Sequence, residues 1–117
     1  MATPLKLESR MEGTDTGILM LTGEVDIANR EQLREAALRL LAGGAKRLIV
    51  DVSGTEYMDS AGLGVLEGLR KRLKGSGGTV AIAGAQAFVK KLFERTGLNQ
   101  VFPLCEDVAA ALKEVGQ

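Results

Sequence analysis

Near the start of the chain the apolar or small positions Leu5, Leu7, Ser9 and Met11 alternate with Lys6, Glu8 and Arg10, the period-two pattern of a half-exposed strand. Residues 18–22 read as a second strand. Gly13-Thr14-Asp15-Thr16-Gly17 between them supplies turn chemistry, so the chain opens on an antiparallel hairpin. After Gly23-Glu24-Val25-Asp26 the period lengthens: Ile27, Leu33, Ala36 or Ala37, and Leu40 or Leu41 stripe one face of a helix that stops at Gly43-Gly44. Residues 48–52 are short and apolar, as a strand covered on both faces must be, and belong at the centre of the sheet. A helix from Ser60 to Lys74 stops at Gly75-Ser76-Gly77-Gly78, residues 79–83 form a strand, and Phe88, Val89, Leu92 and Phe93 stripe a third helix ending at Thr96-Gly97. Residues 101–104 make a short edge strand, where Pro103 is tolerated. The last helix carries Glu106 and Asp107 at its dipole-favoured start and buries Val108, Ala109, Leu112 and Val115. The expected fold is α/β, a mixed sheet opening with an antiparallel hairpin and helices packed on it.

The start of the second helix holds the most distinctive chemistry, in Asp59-Ser60-Ala61-Gly62-Leu63-Gly64. Asp59 as N-cap accepts from the backbone N–H of Ala61 or Gly62, and Met58 and Leu63 fill the N′ and N4 positions of a hydrophobic staple. Ser60 is then the first helical residue. Its hydroxyl is not needed for the cap and points outward, where an added phosphate would sit near the positive end of the helix dipole. Gly62, Gly64 and Gly68 lie in this one helix, although an interior Gly costs about 1 kcal/mol relative to Ala. Either close packing on the protein's own sheet or the close approach of a partner's backbone accounts for them.

The stretch Tyr57-Met58-Asp59-Ser60-Ala61-Gly62-Leu63-Gly64-Val65-Leu66 follows Leu48-Ile49-Val50-Asp51-Val52-Ser53 and, upstream, Gly23-Glu24-Val25-Asp26. Together these resemble the signature of STAS-domain anti-sigma factor antagonists over nearly the whole chain. The resemblance implies the STAS fold as one domain over residues 1–117 and a partner-switching role: the unmodified protein binds a kinase that is also the anti-sigma factor, freeing a sigma factor. Phosphorylation of Ser60 by that partner reverses the binding, and a serine phosphatase resets it. Many members have a second serine where this chain has Ala61, which removes a competing acceptor. Glu24, Asp26, Tyr57, Met58, Asp59, Ser60, Ala61, Gly62, Leu63 and Gly64 are the expected partner-binding residues. A STAS subunit that assembles a transporter or signalling complex without a phosphorylation switch is the alternative.

Composition narrows the partners. Across 117 residues, 15 basic and 15 acidic side chains leave zero formal net charge, and three Phe with one Tyr make no stacking platform, so direct nucleic-acid binding is not expected. The lone Cys105 forms no internal disulfide, no signal peptide opens the chain, and no apolar run approaches the ~20 residues that span a bilayer. A cytoplasmic setting away from membranes is expected. With no His in the chain, Ser-His and Cys-His catalysis are excluded, and the Ser-x-x-Lys spacing from Ser60 falls on Leu63. Glu106 and Asp107 should raise the pKa of Cys105, making it a rim or core residue rather than a nucleophile. No enzymatic activity and no cofactor are expected.

Two further signals are set aside. Gly62-Leu63-Gly64 and Gly68 miss the dinucleotide fingerprint, because Glu67 stands where its last Gly or Ala belongs. A phospho-aspartate receiver would begin with a parallel unit and an acidic pair after its first strand, where this chain has a hairpin and Gly13-Thr14. Arg70, Lys71, Arg72 and Lys74 read as a solvated basic helix end. Glu24, Asp26, Glu56 and Asp59 would cluster as an acidic rim if the two loops that hold them are neighbours; scattered surface carboxylates are the plain alternative.

Overall fold

The computed structural model describes residues 4–116, so residues 1–3 and 117 of the expected 1–117 domain lie outside the described residues. In chain order the elements are β1 (Lys6–Glu12), β2 (Thr16–Thr22), α1 (Arg30–Ala42), β3 (Arg47–Gly54), α2 (Ser60–Lys74), β4 (Val80–Ala83), α3 (Ala87–Thr96), a 3-10 turn (Leu98–Gln100), β5 (Leu104–Cys105) and α4 (Val108–Val115). One sheet holds the strands in sequence order; β1 pairs antiparallel with β2 and every later pair is parallel. The centre is β3, where Leu48, Ile49, Val50 and Val52 are fully buried. The mixed α/β sheet with an opening hairpin is thus present as the hydrophobic pattern predicts.

From β2 to β5 each crossover steps one strand the same way, and right-handed crossovers therefore set α1, α2 and α3 on one face. There Leu33, Leu40, Leu66, Leu69 and Phe93 pack on Leu19, Leu21, Val50, Val52 and Ile82. On the other face α4 sets Ala111 and Val115 against Ile18, Ile49, Ala81 and Ala83. Parallel strands flanked by helices run antiparallel to them, so α1 and α2 both begin at the ends of the strands they follow. That end of the sheet carries the site.

Where the structure departs from the pattern, a polar or long-range contact is the cause. Ile27, expected on the buried face of the first helix, is 70 % exposed, and α1 begins only at Arg30. Asp26 Oδ1 accepts from the N–H groups of Ala28 (2.9 Å) and Asn29 (3.2 Å). Asn29 Oδ1 in turn accepts from the Asp26 N–H, and its Nδ2 donates to the Glu24 carbonyl, both at 2.9 Å. This closed set of local bonds competes with helix over residues 26–29.

The edge strand expected at residues 101–104 shifts to Leu104–Cys105, because Phe102 turns inward to meet Phe93 edge-on at 5.5 Å. On α3 only Val89 and Phe93 are fully buried, and Phe88 is 47 % exposed. On α4 the buried alanine is Ala111, while Ala109 is exposed. Arg70 is not solvated as its basic run suggested: it donates to Glu67 at 2.8 Å and lies 5.9 Å over the Phe102 ring.

Candidate functional site

The loops after β2 and β3 are zipped together by backbone bonds. The Gly23 N–H donates to the Gly54 carbonyl (3.0 Å), the Val25 N–H to Tyr57 (3.1 Å) and the Asp59 N–H to Val25 (3.1 Å), with Val25 and Met58 in a parallel bridge. The neighbourhood on which the acidic rim depended is therefore real. Just before it the register of β2 on β3 slips by one residue between Met20 and Thr22, a bulge of the kind that re-aims a strand end. The fully buried Thr55 hydroxyl donates to the Leu21 carbonyl at 3.3 Å and fixes the turn out of β3. Thr55 went unnoticed in the sequence because nothing local marks its partner, 34 residues away.

Asp59 adopts extended backbone at the helix start, and its Oδ1 accepts from the N–H groups of Ala61 (2.9 Å) and Gly62 (3.3 Å). Ser60 is the first residue of α2 and is exposed, its hydroxyl taking no part in that cap. Met58 and Leu63 are buried in the same apolar cluster, at the N′ and N4 positions of the staple. Gly62 lies over them: a Cβ there would meet Met58 Cγ at 2.7 Å and Val25 Cγ1 at 2.8 Å. Gly64 is exposed, and a Cβ on it meets nothing within 4 Å.

The expected partner-binding residues thus divide. Met58, Gly62 and Leu63 are buried and hold the loop and helix together, whereas Ser60 and Gly64 are exposed and Ala61 is half-buried. Tyr57 is 39 % exposed and packs its ring 5.2 Å from that of Phe88 on α3, a partner that the helical stripe had assigned to the core. Glu24 and Glu56 line one shallow pocket of about 270 Å³ with Gln86, which donates to the Ser53 carbonyl at 2.7 Å. Asp26 is not a free carboxylate, since it holds the loop ahead of α1.

On the other side of Ser60 runs a groove between α1 and α2, about 440 Å³ in volume, with Arg30 and Arg34 in its wall. The sequence carried a signal for it in the four-residue spacing of these arginines, which puts both on one face of α1. Far from the site, burial pushes the Cys105 thiol pKa up, and Glu114 and Asp107 add to the shift; Glu114 takes the place expected for Glu106. Its thiolate is disfavoured. Among the described residues no cluster of three or more His, Cys, Asp or Glu could hold a metal ion, and no helix is long and apolar enough to cross a membrane.

Comparison with known proteins agrees with the motif. The STAS domain family profile matches residues 10–111. Over 99 residues the chain is 32 % identical to BtrV of Bordetella bronchiseptica, a proposed anti-sigma factor antagonist, covering 82 % of this chain and 85 % of that protein. It is 33 % identical over 84 residues to the anti-sigma-B factor antagonist of Bacillus subtilis, covering 72 % and 76 %. In fold it matches the crystal structure of an anti-sigma factor antagonist from Mycobacterium paratuberculosis, with a TM-score of 0.88 at 22 % identity over 97 % of this chain and 96 % of that one.

Proposed function

The chain belongs to the STAS-domain anti-sigma factor antagonist family, and on that premise we propose that it is a regulatory binding protein switched by phosphorylation at Ser60. The unmodified form binds an anti-sigma factor that has serine-kinase activity, releasing a sigma factor. Phosphate transfer to Ser60 ends that binding, and a serine phosphatase restores it. The protein is a kinase substrate in the cytoplasm and not itself an enzyme. The observation that carries this reading is the division of labour at the start of α2: Asp59 makes the cap, which leaves the exposed Ser60 hydroxyl free to be the acceptor.

The switch needs no refolding. A phosphate brings roughly −1.5 to −2 charge beside Asp59, and the partner must desolvate that charge to return. At a coupling of about 3 kcal/mol the affinity falls by roughly two orders of magnitude. Two other hydroxyls are poorer acceptors: Thr55 is fully buried, and the Ser76 hydroxyl donates to the Leu73 carbonyl at 3.1 Å.

Affinity capture with and without ATP identifies the kinase partner, and incubation with it tests the acceptor. Wild type should gain one phosphate and Ser60→Ala none, while Ser60→Ala keeps its affinity for the partner and Ser60→Asp loses it. A phosphate mapped to Ser53, Thr55 or Ser76 would overturn the assignment.

A further inference from the structure

Ser60 stands on a border between two kinds of charge. Toward the loops lie the carboxylates of Glu24, Asp26, Glu56 and Asp59; toward α1 lies the groove walled by Arg30 and Arg34 and closed farther along by Arg72. Because α1 and α2 run back across the sheet in the same direction, the groove residues step in fours along both helices. Arg30, Arg34 and Leu38 line one side, and Ser60, Gly64, Gly68 and Arg72 the other. A Cβ built on Gly64 or Gly68 meets nothing within 4 Å, so the floor next to Ser60 is open to a group as large as a phosphate. Against the three arginines stands one carboxylate, Glu31, 3.6 Å from Arg34, with both side chains more than half exposed. Neither Arg30 nor Arg72 takes part in a salt bridge among the described residues.

We propose that this groove is a phosphate-monoester site whose occupant is the phosphate carried on Ser60, held in cis by the guanidinium groups of Arg30 and Arg34. The inference rests on the reading that Ser60 is phosphorylated, and it says where the phosphate goes. Asp59 and Asp26 are committed to backbone N–H groups as carboxylates, so they repel the new charge from the loop side. Attraction from α1 acts in the same sense and turns the phosphate into the groove. Each guanidinium fork matches two phosphate oxygens, and the doubly charged phosphate displaces Glu31 from Arg34, because an exposed ion pair of that length is weak. Phosphorylation then fills the mouth of the groove and withdraws two cations from any partner group that reaches them.

Phosphoserine installed at position 60 by genetic encoding tests this without a kinase, through the second pKa of the phosphate read by phosphorus NMR. The charged groups around it are Arg30, Glu31 and Arg34 on α1, Arg72 on α2, and Glu24, Asp26, Glu56 and Asp59 on the loops. Cation contact lowers the pKa, so the double variant R30A/R34A should titrate roughly half a unit or more above wild type, with each single variant between. R39A, on α1 but outside the groove, should not move it. Equal values in wild type and the double variant would overturn the site, as would an equal shift in R39A, which marks a general field. Excess inorganic phosphate added to the phosphoserine protein should leave the Gly64 and Gly68 amide resonances in place. If it shifts them, the groove stands empty and Ser60 phosphate is not its occupant. Arg30 and Arg34 are exposed, so these variants fold. Failure here strikes the groove alone, since the acceptor assignment stands or falls with the kinase reaction.

Discussion

Gly62 and Gly64 belong to the same turn of α2 and serve opposite ends. Gly62 faces inward, where a methyl group would run into Met58 and Val25 at 2.7–2.8 Å; Gly64 faces outward, where a methyl group meets nothing within 4 Å. Both choices cost helix propensity, about 1 kcal/mol each relative to Ala. At Gly62 the cost lets the helix start lie against the bridge that joins the two loops. At Gly64, and again at Gly68, nothing in the protein's own packing asks for glycine. Of the two explanations open from the sequence, close packing on the protein's own fold therefore holds for Gly62 and not for Gly64 or Gly68, where the approach of a partner's backbone is the explanation left to test.

The strongest test of that contrast is to enlarge the inward glycine. Val25 and Met58 are fully buried, and the stiff Val25 side chain cannot swing away. Gly62→Ala gains about 1 kcal/mol of propensity but loses about 1–3 kcal/mol to overpacking, and Gly62→Val should lose roughly 3 kcal/mol in denaturant unfolding. If Gly62→Val unfolded at the wild-type midpoint, the inward half of the comparison would fail.

What could be read from the sequence follows the same inward and outward division. The bounds of α2, its cap and the central strand were legible, because Asp59, the glycines after Lys74 and the apolar run before Ser53 are local signals. Ile27 was misplaced because hydrophobic period takes no account of the Asp26 and Asn29 side chains, whose bonds to the backbone delay α1 to Arg30. Phe102 and Arg70 were misread because each finds its aromatic partner through the tertiary fold, Phe93 for one and Phe102 for the other. The acidic rim was legible as a condition, met once Val25 bridges Met58. The arginine groove was legible only as the four-residue spacing of Arg30 and Arg34, since the groove itself exists only when α1 and α2 pack side by side.

The two aspartates sharpen the contrast at an intermediate size. Asp59→Ala removes the N-cap of α2 and should cost about 1 kcal/mol in thermal or denaturant unfolding. Asp26 was expected among the partner-binding residues and in an acidic rim, and it also accepts two backbone N–H bonds ahead of α1. Asp26→Ala should accordingly lose stability too, by about 1 kcal/mol, since it holds the neighbouring loop in the same manner. Asn in either place keeps an oxygen acceptor and should restore most of the loss. If Asp26→Asn recovered stability but still slowed phosphorylation, the charge at this position would be separated from its structural work.

The smallest effects are the most telling about the outward face. Gly64→Ala and Gly68→Ala should each raise stability by about 0.5–1 kcal/mol, because helix propensity improves and the added methyl group touches nothing. Function should move the other way, and by unequal amounts. Gly64 lies one helical turn from Ser60 and Gly68 two turns away, so a partner docking at Ser60 meets the Gly64 methyl group first. A methyl group forced into a tight interface costs about 1–3 kcal/mol, which for Gly64→Ala is a five-fold to hundred-fold loss of affinity for the kinase partner. Gly68→Ala should lose less. Calorimetry of both variants against that partner, set beside their unfolding curves, reads the two quantities on the same molecules. A gain in stability with unchanged affinity at both positions would mean that no partner backbone comes close here, and the outward glycines would then serve only the groove beside Ser60.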